Sequence, residues 1–109
     1  MATTFYVQRG ESLDYVNAGE AKIEAGEVVV IGTKIGIAAG DIEVGAKGAL
    51  HVEGVFEMPL ASGETVGIGA AVYWNGSAVT ATAGSNTPAG YAAAAAGEGA
   101  TKVLVKINA

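Results

Sequence analysis

The sequence predicts an all-β fold, a small single-domain β-barrel or β-sandwich of short antiparallel strands, on three observations. Glycine-centred breaks recur about every ten residues, at Gly10, Gly26, Gly40, Gly63, Gly76, Gly84 and Gly97 to Gly99, the even turn spacing of such folds. Two stretches alternate apolar and polar residues with period two, the mark of half-buried strands. The composition, with 17 glycines in 109 residues and few bulky apolar side chains, suits short strands better than a helical bundle. A chain of this length folds as one domain, residues 1–109, and can bury a core without a metal or disulfide.

In chain order, Met1 to Gly10 carries Phe5, Tyr6 and Val7 in a row and reads as a short N-terminal arm. It has no basic n-region or long apolar stretch, so no secretory signal is readable and the expected compartment is the cytoplasm. Val28-Val29-Val30-Ile31 is a continuous β-branched run, expected as a strand covered on both faces. Leu50, Val52, Gly54, Phe56 and Met58 alternate with His51, Glu53, Val55 and Glu57, which predicts one half-buried strand. Gly67 and Gly69 weigh against a helical turn at 65–70, each costing about 1 kcal/mol relative to Ala in a helix.

Asn75-Gly76 between Val72-Tyr73-Trp74 and Ala78-Val79-Thr80 predicts a hairpin closed by a type I′ turn. Ala92 to Ala96, bounded by Gly90 and Gly97, is too short for a stable helix and reads as a close-packed strand. Thr101, Val103, Val105 and Ile107 alternate with Lys102, Leu104 and Lys106, so the last strand sits in a sheet. No internal repeat or linker is apparent.

The net charge of −5 with few lysines and arginines argues against a nucleic-acid partner, because phosphate binding needs clustered cations. Without cysteine, thiol chemistry and cysteine-ligated metals drop out. All acids but Glu98 lie between Glu11 and Glu64, whereas 65–97 holds no charge. Polar and glycine residues interrupt that neutral stretch too often for a membrane span, so burial or a subunit interface is its expected use, leaving the acidic half to solvent or a basic surface.

No catalytic, metal or cofactor site emerges. His51, Glu53 and Glu57 would share one strand face, but a lone histidine without ligand spacing favours a solvated surface. Gly67-Ile68-Gly69-Ala70 lacks the third glycine of a dinucleotide fingerprint, and Gly32-Thr33-Lys34 lacks the order of a P-loop. The serines have no nucleophile-elbow context. Asn75-Gly76-Ser77 matches a glycosylation acceptor, yet the hairpin accounts for the same residues. Most of the aromatic residues are expected in the core.

The order of segments resembles one known family: Gln8-Arg9-Gly10-Glu11 on a short N-terminal strand, Ala25 to Gly32 running into Ile35-Gly36-Ile37-Ala38, and Gly54-Val55-Phe56-Glu57-Met58-Pro59. Gly69 to Asn75, Pro88-Ala89-Gly90-Tyr91-Ala92 and Val103 to Asn108 complete it. Together these resemble the cement, or head decoration, proteins of tailed phages and prophages, over nearly the whole chain. A recombinase label sometimes given to that family fails here, since the P-loop is absent. The alanine-rich segment departs from relatives with longer apolar residues.

The resemblance implies a structural virion protein, not an enzyme, that binds the outside of the assembled head and stabilises it. It implies the major capsid protein and further copies of itself as partners, a homotrimer ahead of a dimer, with no nucleic acid, membrane or cofactor. Location would be the capsid exterior, after assembly in the host cytoplasm. The residues expected to touch the capsid are Thr4, Phe5, Tyr6, Val7 and Arg9. Two other readings are a glycan-binding module with Tyr73 and Trp74 as a stacking platform, and a biotinyl or lipoyl carrier suggested by Glu57-Met58-Pro59. The second needs a lysine at the hairpin tip, where Asn75-Gly76 stands.

Overall fold

The computed structural model describes residues 3–109. The strands are β1 (Ser12–Val16), β2 (Val28–Ile31), β3 (Lys34–Ala38), β4 (Lys47–His51), β5 (Val55–Pro59), β6 (Ala71–Trp74), β7 (Val79–Thr80), β8 (Thr87–Ala92) and β9 (Lys102–Ile107). They form two antiparallel sheets, one of four strands in the order β1-β4-β3-β2 and one of five in the order β5-β9-β8-β6-β7. The arrangement is sandwich-like. The outer strands of the larger sheet meet only at an isolated parallel bridge between Leu60 and Val79, short of a closed barrel.

The two sheets are built on one plan, which corrects the expectation of no internal repeat. Strands β1, β2, β3 and β4 of the first unit (residues 11–52) correspond to β5, β6, β8 and β9 of the second (54–107), with β7 inserted in the second unit's β6–β8 connection. Registers agree: Ser12 pairs His51 as Val55 pairs Lys106, Ile37 pairs His51 as Tyr91 pairs Lys106, and Val28 pairs Ile37 as Ala71 pairs Tyr91. The hydrogen bonds outside the ladders agree too. Gly26 N–H donates to Ala38 O (2.8 Å) as Gly69 does to Ala92 O (2.7 Å), and Val52 N–H donates to Glu11 O as Ile107 does to Gly54 O, both at 3.0 Å.

The shared device is a buried aliphatic residue followed three places later by glycine at positive φ. Ile23 and Ile42 pair as a bridge in unit one, Val66 and Ala96 in unit two, and Gly26, Gly45, Gly69 and Gly99 hold φ of 85°, 81°, 83° and 83°. Glycine takes that conformation without the steric cost that a Cβ brings. Each turn lets the chain reverse into a strand after the aliphatic residue has capped the sheet.

One core cluster holds unit two's Met58, Leu60, Val66, Val72, Val79, Val103, Val105 and Ile107 together with Ile35 and Ile37 from β3. A smaller one, Ile23, Ala38, Ile42 and Leu50, lies on the other face of the first sheet, with Tyr15, Val29 and Ile31 half-buried around it. So β3 is the strand covered on both faces. Its alternation of isoleucine with Gly36 and Ala38 allows this, because small residues admit Leu50 on one side while the isoleucines enter the larger core on the other. Strand β2, expected in that role, is an edge strand with Val30 about half exposed.

Asn108 joins the units. Its Nδ2 donates to Ile35 O (2.7 Å) and Val52 O (3.0 Å), and its Oδ1 accepts from Ile35 N–H (3.1 Å), while its own N–H donates to Ala89 O (2.8 Å). These bonds complete the part of β3 that extends past the end of β4, supplying partners where an unpaired buried backbone group would be costly. Asn17, 2% exposed, does comparable work inside unit one, donating to Ala21 O and Ile42 O and accepting from Gly19 N–H.

Three further expectations change. The alternating run Leu50 to Met58 is two strands in different sheets, with the crossover at 52–54 preserving the phase so that Leu50 and Met58 are both buried. The Ala92 to Ala96 stretch makes one last bond to β9, from Ala93 N–H to Leu104 O (2.7 Å), then bends away, and Ala96 forms an isolated bridge with Val66. The hairpin forms, but Gly76 alone takes positive φ (105°) and Asn75 does not, so the turn is not type I′; the Asn75 side chain instead accepts from the Ser77 and Ala78 N–H groups, both at 2.9 Å. Gly32-Thr33, discounted as a P-loop, is the tight turn between β2 and β3.

Candidate interaction surfaces

Residues 3–10 form no strand or turn, and Phe5, Tyr6 and Val7 are 77%, 81% and 86% exposed. Thr4 and Arg9 are exposed as well, so the structure brings all the expected contact residues onto one extended segment and buries none of them. The segment is tied down only near its end, by an Arg9–Glu11 ion pair at 2.7 Å and a Gln8 side-chain bond to Ser12 O at 3.3 Å. A radius of gyration of 15.1 Å, against about 13 Å for a compact domain of this length, fits a segment that projects. Three apolar side chains exposed in a row are the unusual feature here, since scattered exposed apolar residues are ordinary.

The second surface is acidic and belongs to unit one. The turns that carry Ile23 and Ile42 place Glu20, Glu24, Glu27, Asp41 and Glu43 in solvent, with Lys22 3.2 Å from Asp41 and 4.0 Å from Glu43. The Ala25 N–H donates to Asp41 at 2.9 Å, and this bond, with Lys22 beside it, holds the Asp41 carboxyl below its ordinary value. Lys22, hydrogen-bonded to Asp41 and facing Glu43, is held above its own.

The third is the outward face of unit two, where Val55, Lys106, Tyr91 and Ala71 form one row across neighbouring strands and Glu57 pairs with Leu104 beside it. Val55, Leu104 and Tyr91 are exposed. The alternation in β9 sets Lys102, Leu104 and Lys106 on one side in the sequence, but that β5, β8 and β6 extend this side into a face shows only once the sheet is built.

The constellations weighed for chemistry do not converge. His51 ends β4 and stacks at 5.8 Å on Phe56, Glu53 lies on the crossover, and Glu57 is in the other sheet, so these residues do not share a strand face as expected. Among the described residues no group of three or more histidine and acidic side chains is placed to hold a metal. The buried Thr80 hydroxyl donates to Glu64 across the β7 edge, a structural bond that closes the outer strand on the 61–64 turn. Trp74 packs on the larger core while Tyr73, one residue away on the strand, faces the other side, so the pair forms no common stacking platform. Tyr15, Phe56 and Trp74 are half-buried against the cores, as expected, Tyr73 is half-buried on the other side, and Phe5, Tyr6 and Tyr91 are exposed.

Compared with known protein families, the chain matches the model described as phage cement protein over residues 7–107, both units together. Neither the curated proteins nor the solved structures yield a match.

Proposed function

The chain belongs to the phage cement protein family, a structural family whose role implies binding to the phage capsid in the virion, and from that premise we propose that it binds the outer surface of the assembled head and stabilises it. The partner is the major capsid protein, and the chain acts as a closed homo-oligomer, a trimer ahead of a dimer, that gathers in the host cytoplasm before joining the head. The whole chain serves as one domain with residues 1–10 as an arm, and Thr4, Phe5, Tyr6, Val7 and Arg9 make the capsid contact. The observation that carries this is the run Phe5-Tyr6-Val7, exposed together on a segment without backbone partners among the described residues, where the matched region begins at Val7.

Stabilisation follows from mass action. A protein that binds the assembled shell and not its free subunits adds about 2.7 kcal/mol per site at a hundredfold excess over its dissociation constant. Copies joined in one oligomer engage equivalent sites together, so modest contacts combine through effective concentration. An extended apolar arm gains buried area on docking at the cost of ordering it.

Co-sedimentation with mature, undecorated heads tests the reading, with unassembled capsid protein as control. Saturable binding to heads alone is expected, weakened at least tenfold by Phe5→Ala with Tyr6→Ala. Equal binding to unassembled subunits, or none to heads across salt and pH, contradicts it.

A further inference from the structure

We propose that the outward face of unit two, centred on Leu104 and Tyr91, docks onto the acidic unit one of the next copy, so that copies join head to tail. This rests on the self-association proposed above and names the surfaces that would carry it.

The internal repeat supplies the first argument. Ile37 of β3 occupies the position in unit one that Tyr91 holds in unit two, each pairing the corresponding residue of the neighbouring strand, His51 or Lys106. Val28 corresponds likewise to Ala71. In unit one this face is used: Ile37 is 6% exposed and Val28 packs beside it, both covered by unit two. In unit two the same face is bare, with Tyr91 36%, Leu104 40% and Val55 54% exposed. The same backbone plan thus buries this face once within the chain and leaves it open once.

Charge supplies the second. Lys102 and Lys106 flank the bare face, and neither is in an ion pair among the described residues, where every pair lies between Arg9 and Lys47. Unit one offers the complement, with Glu20, Glu24, Glu27 and Glu43 exposed on its turns. A shallow depression lined by Glu57, Ala94, Ala95, Lys102, Val103 and Leu104 gives the face relief, and Glu57, which pairs with Leu104, is the acid that the two lysines outnumber there. Joining unlike surfaces produces a heterologous contact, the kind that closes into rings when the rotation allows.

Sedimentation velocity of the full chain over a wide concentration range tests this, with circular dichroism confirming the fold of each variant. We expect an oligomer for the unaltered chain, at least tenfold weaker self-association for Leu104→Glu and for Lys102→Glu with Lys106→Glu, and no change for Ser85→Glu, an exposed residue on the turn before β8, at the opposite end of that strand from Tyr91. An oligomer unaffected by Leu104→Glu overturns the surface while leaving self-association intact. A monomer at every concentration overturns the self-association itself. Loss with Leu104→Glu but not with the lysine reversals overturns the pairing with unit one.

Discussion

Units one and two share strand order, register and turn hydrogen bonds, yet they bury very different amounts. The positions that pair across the central strands, Ala38 with Leu50 and Ala92 with Val105, are fully inside in both. Around them unit one buries Ile23 and Ile42 and half-buries Tyr15, Val29 and Ile31, whereas unit two adds its own aliphatic residues and takes Ile35 and Ile37 from unit one. The difference teaches that the plan is set by the glycine turns and their bridging aliphatic residues, while core volume is set separately. Residues 65–97 of unit two carry no charge although Ile68, Asn75 to Ser77 and Ala81 to Ser85 are exposed, whereas unit one carries its acids on turns that remain in water.

The sharpest way to break the comparison is at matched glycines. A Cβ on Gly90 would stand 2.0 Å from the Lys106 carbonyl oxygen at a φ of 135°, whereas one on the corresponding Gly36 would meet only the Leu50 side chain, at 2.9 Å. Backbone cannot yield as a side chain can. Gly90→Ala should therefore cost at least ~3 kcal/mol, enough to prevent folding of a marginally stable domain, and Gly36→Ala visibly less, as read from urea midpoints. Next comes Asn108, whose counterpart in unit one is the exposed Glu53. Asn108→Ala removes three side-chain bonds between the units and should cost about 2–3 kcal/mol, while Glu53→Ala stays within about 0.5 kcal/mol in the same assay.

Native-state hydrogen exchange sharpens the comparison without mutation. Amides of β8 and β9 should exchange slowest and those of β1 and β2 at least tenfold faster, since the latter edge a small core. Equal protection in both sheets would mean that unit one's stability comes from unit two as a single cooperative block.

How much of this was legible in the sequence depended on where the pattern and the chain agreed. Val103, Val105 and Ile107 alternate within one strand and are all buried, as the sequence predicts. Leu50 to Met58 alternates just as well but crosses between sheets, because the crossover keeps the phase that alternation measures. The repeat escaped because its bridging residues, Ile23, Ile42, Val66 and Ala96, are unevenly spaced and chemically degenerate, and because β7 lengthens the second copy. The two-sided burial of β3 was hidden by Gly36 and Ala38, whose smallness signals weakness in a propensity reading and is here what makes room. Of the surfaces, the aromatic segment at Phe5 and Tyr6 could be read from the residues alone. The face around Leu104 could not, since it exists only once β5, β9, β8 and β6 lie side by side.

The smallest effect concerns the Lys22–Asp41 ion pair on unit one's turns, which has no counterpart among the described residues of unit two. Because the folded Asp41 carboxyl sits below its ordinary 3.8, its contribution is present above that value and fades as pH falls through the lowered one. Lys22 sits above its ordinary 10.5, so its contribution is present below that value and fades as pH rises through the raised one. Both groups are solvent-exposed and the effect is screened by salt. Asp41→Asn should flatten the acid limb of the stability profile slightly, and high salt should do the same to the unaltered protein.

In the proposed function this chain strengthens an assembled head. Scanning calorimetry of mature, undecorated heads, with and without saturating protein, tests it most directly. The temperature of head disruption is expected to rise and level off as the sites fill. A disruption temperature unchanged at full occupancy would contradict it.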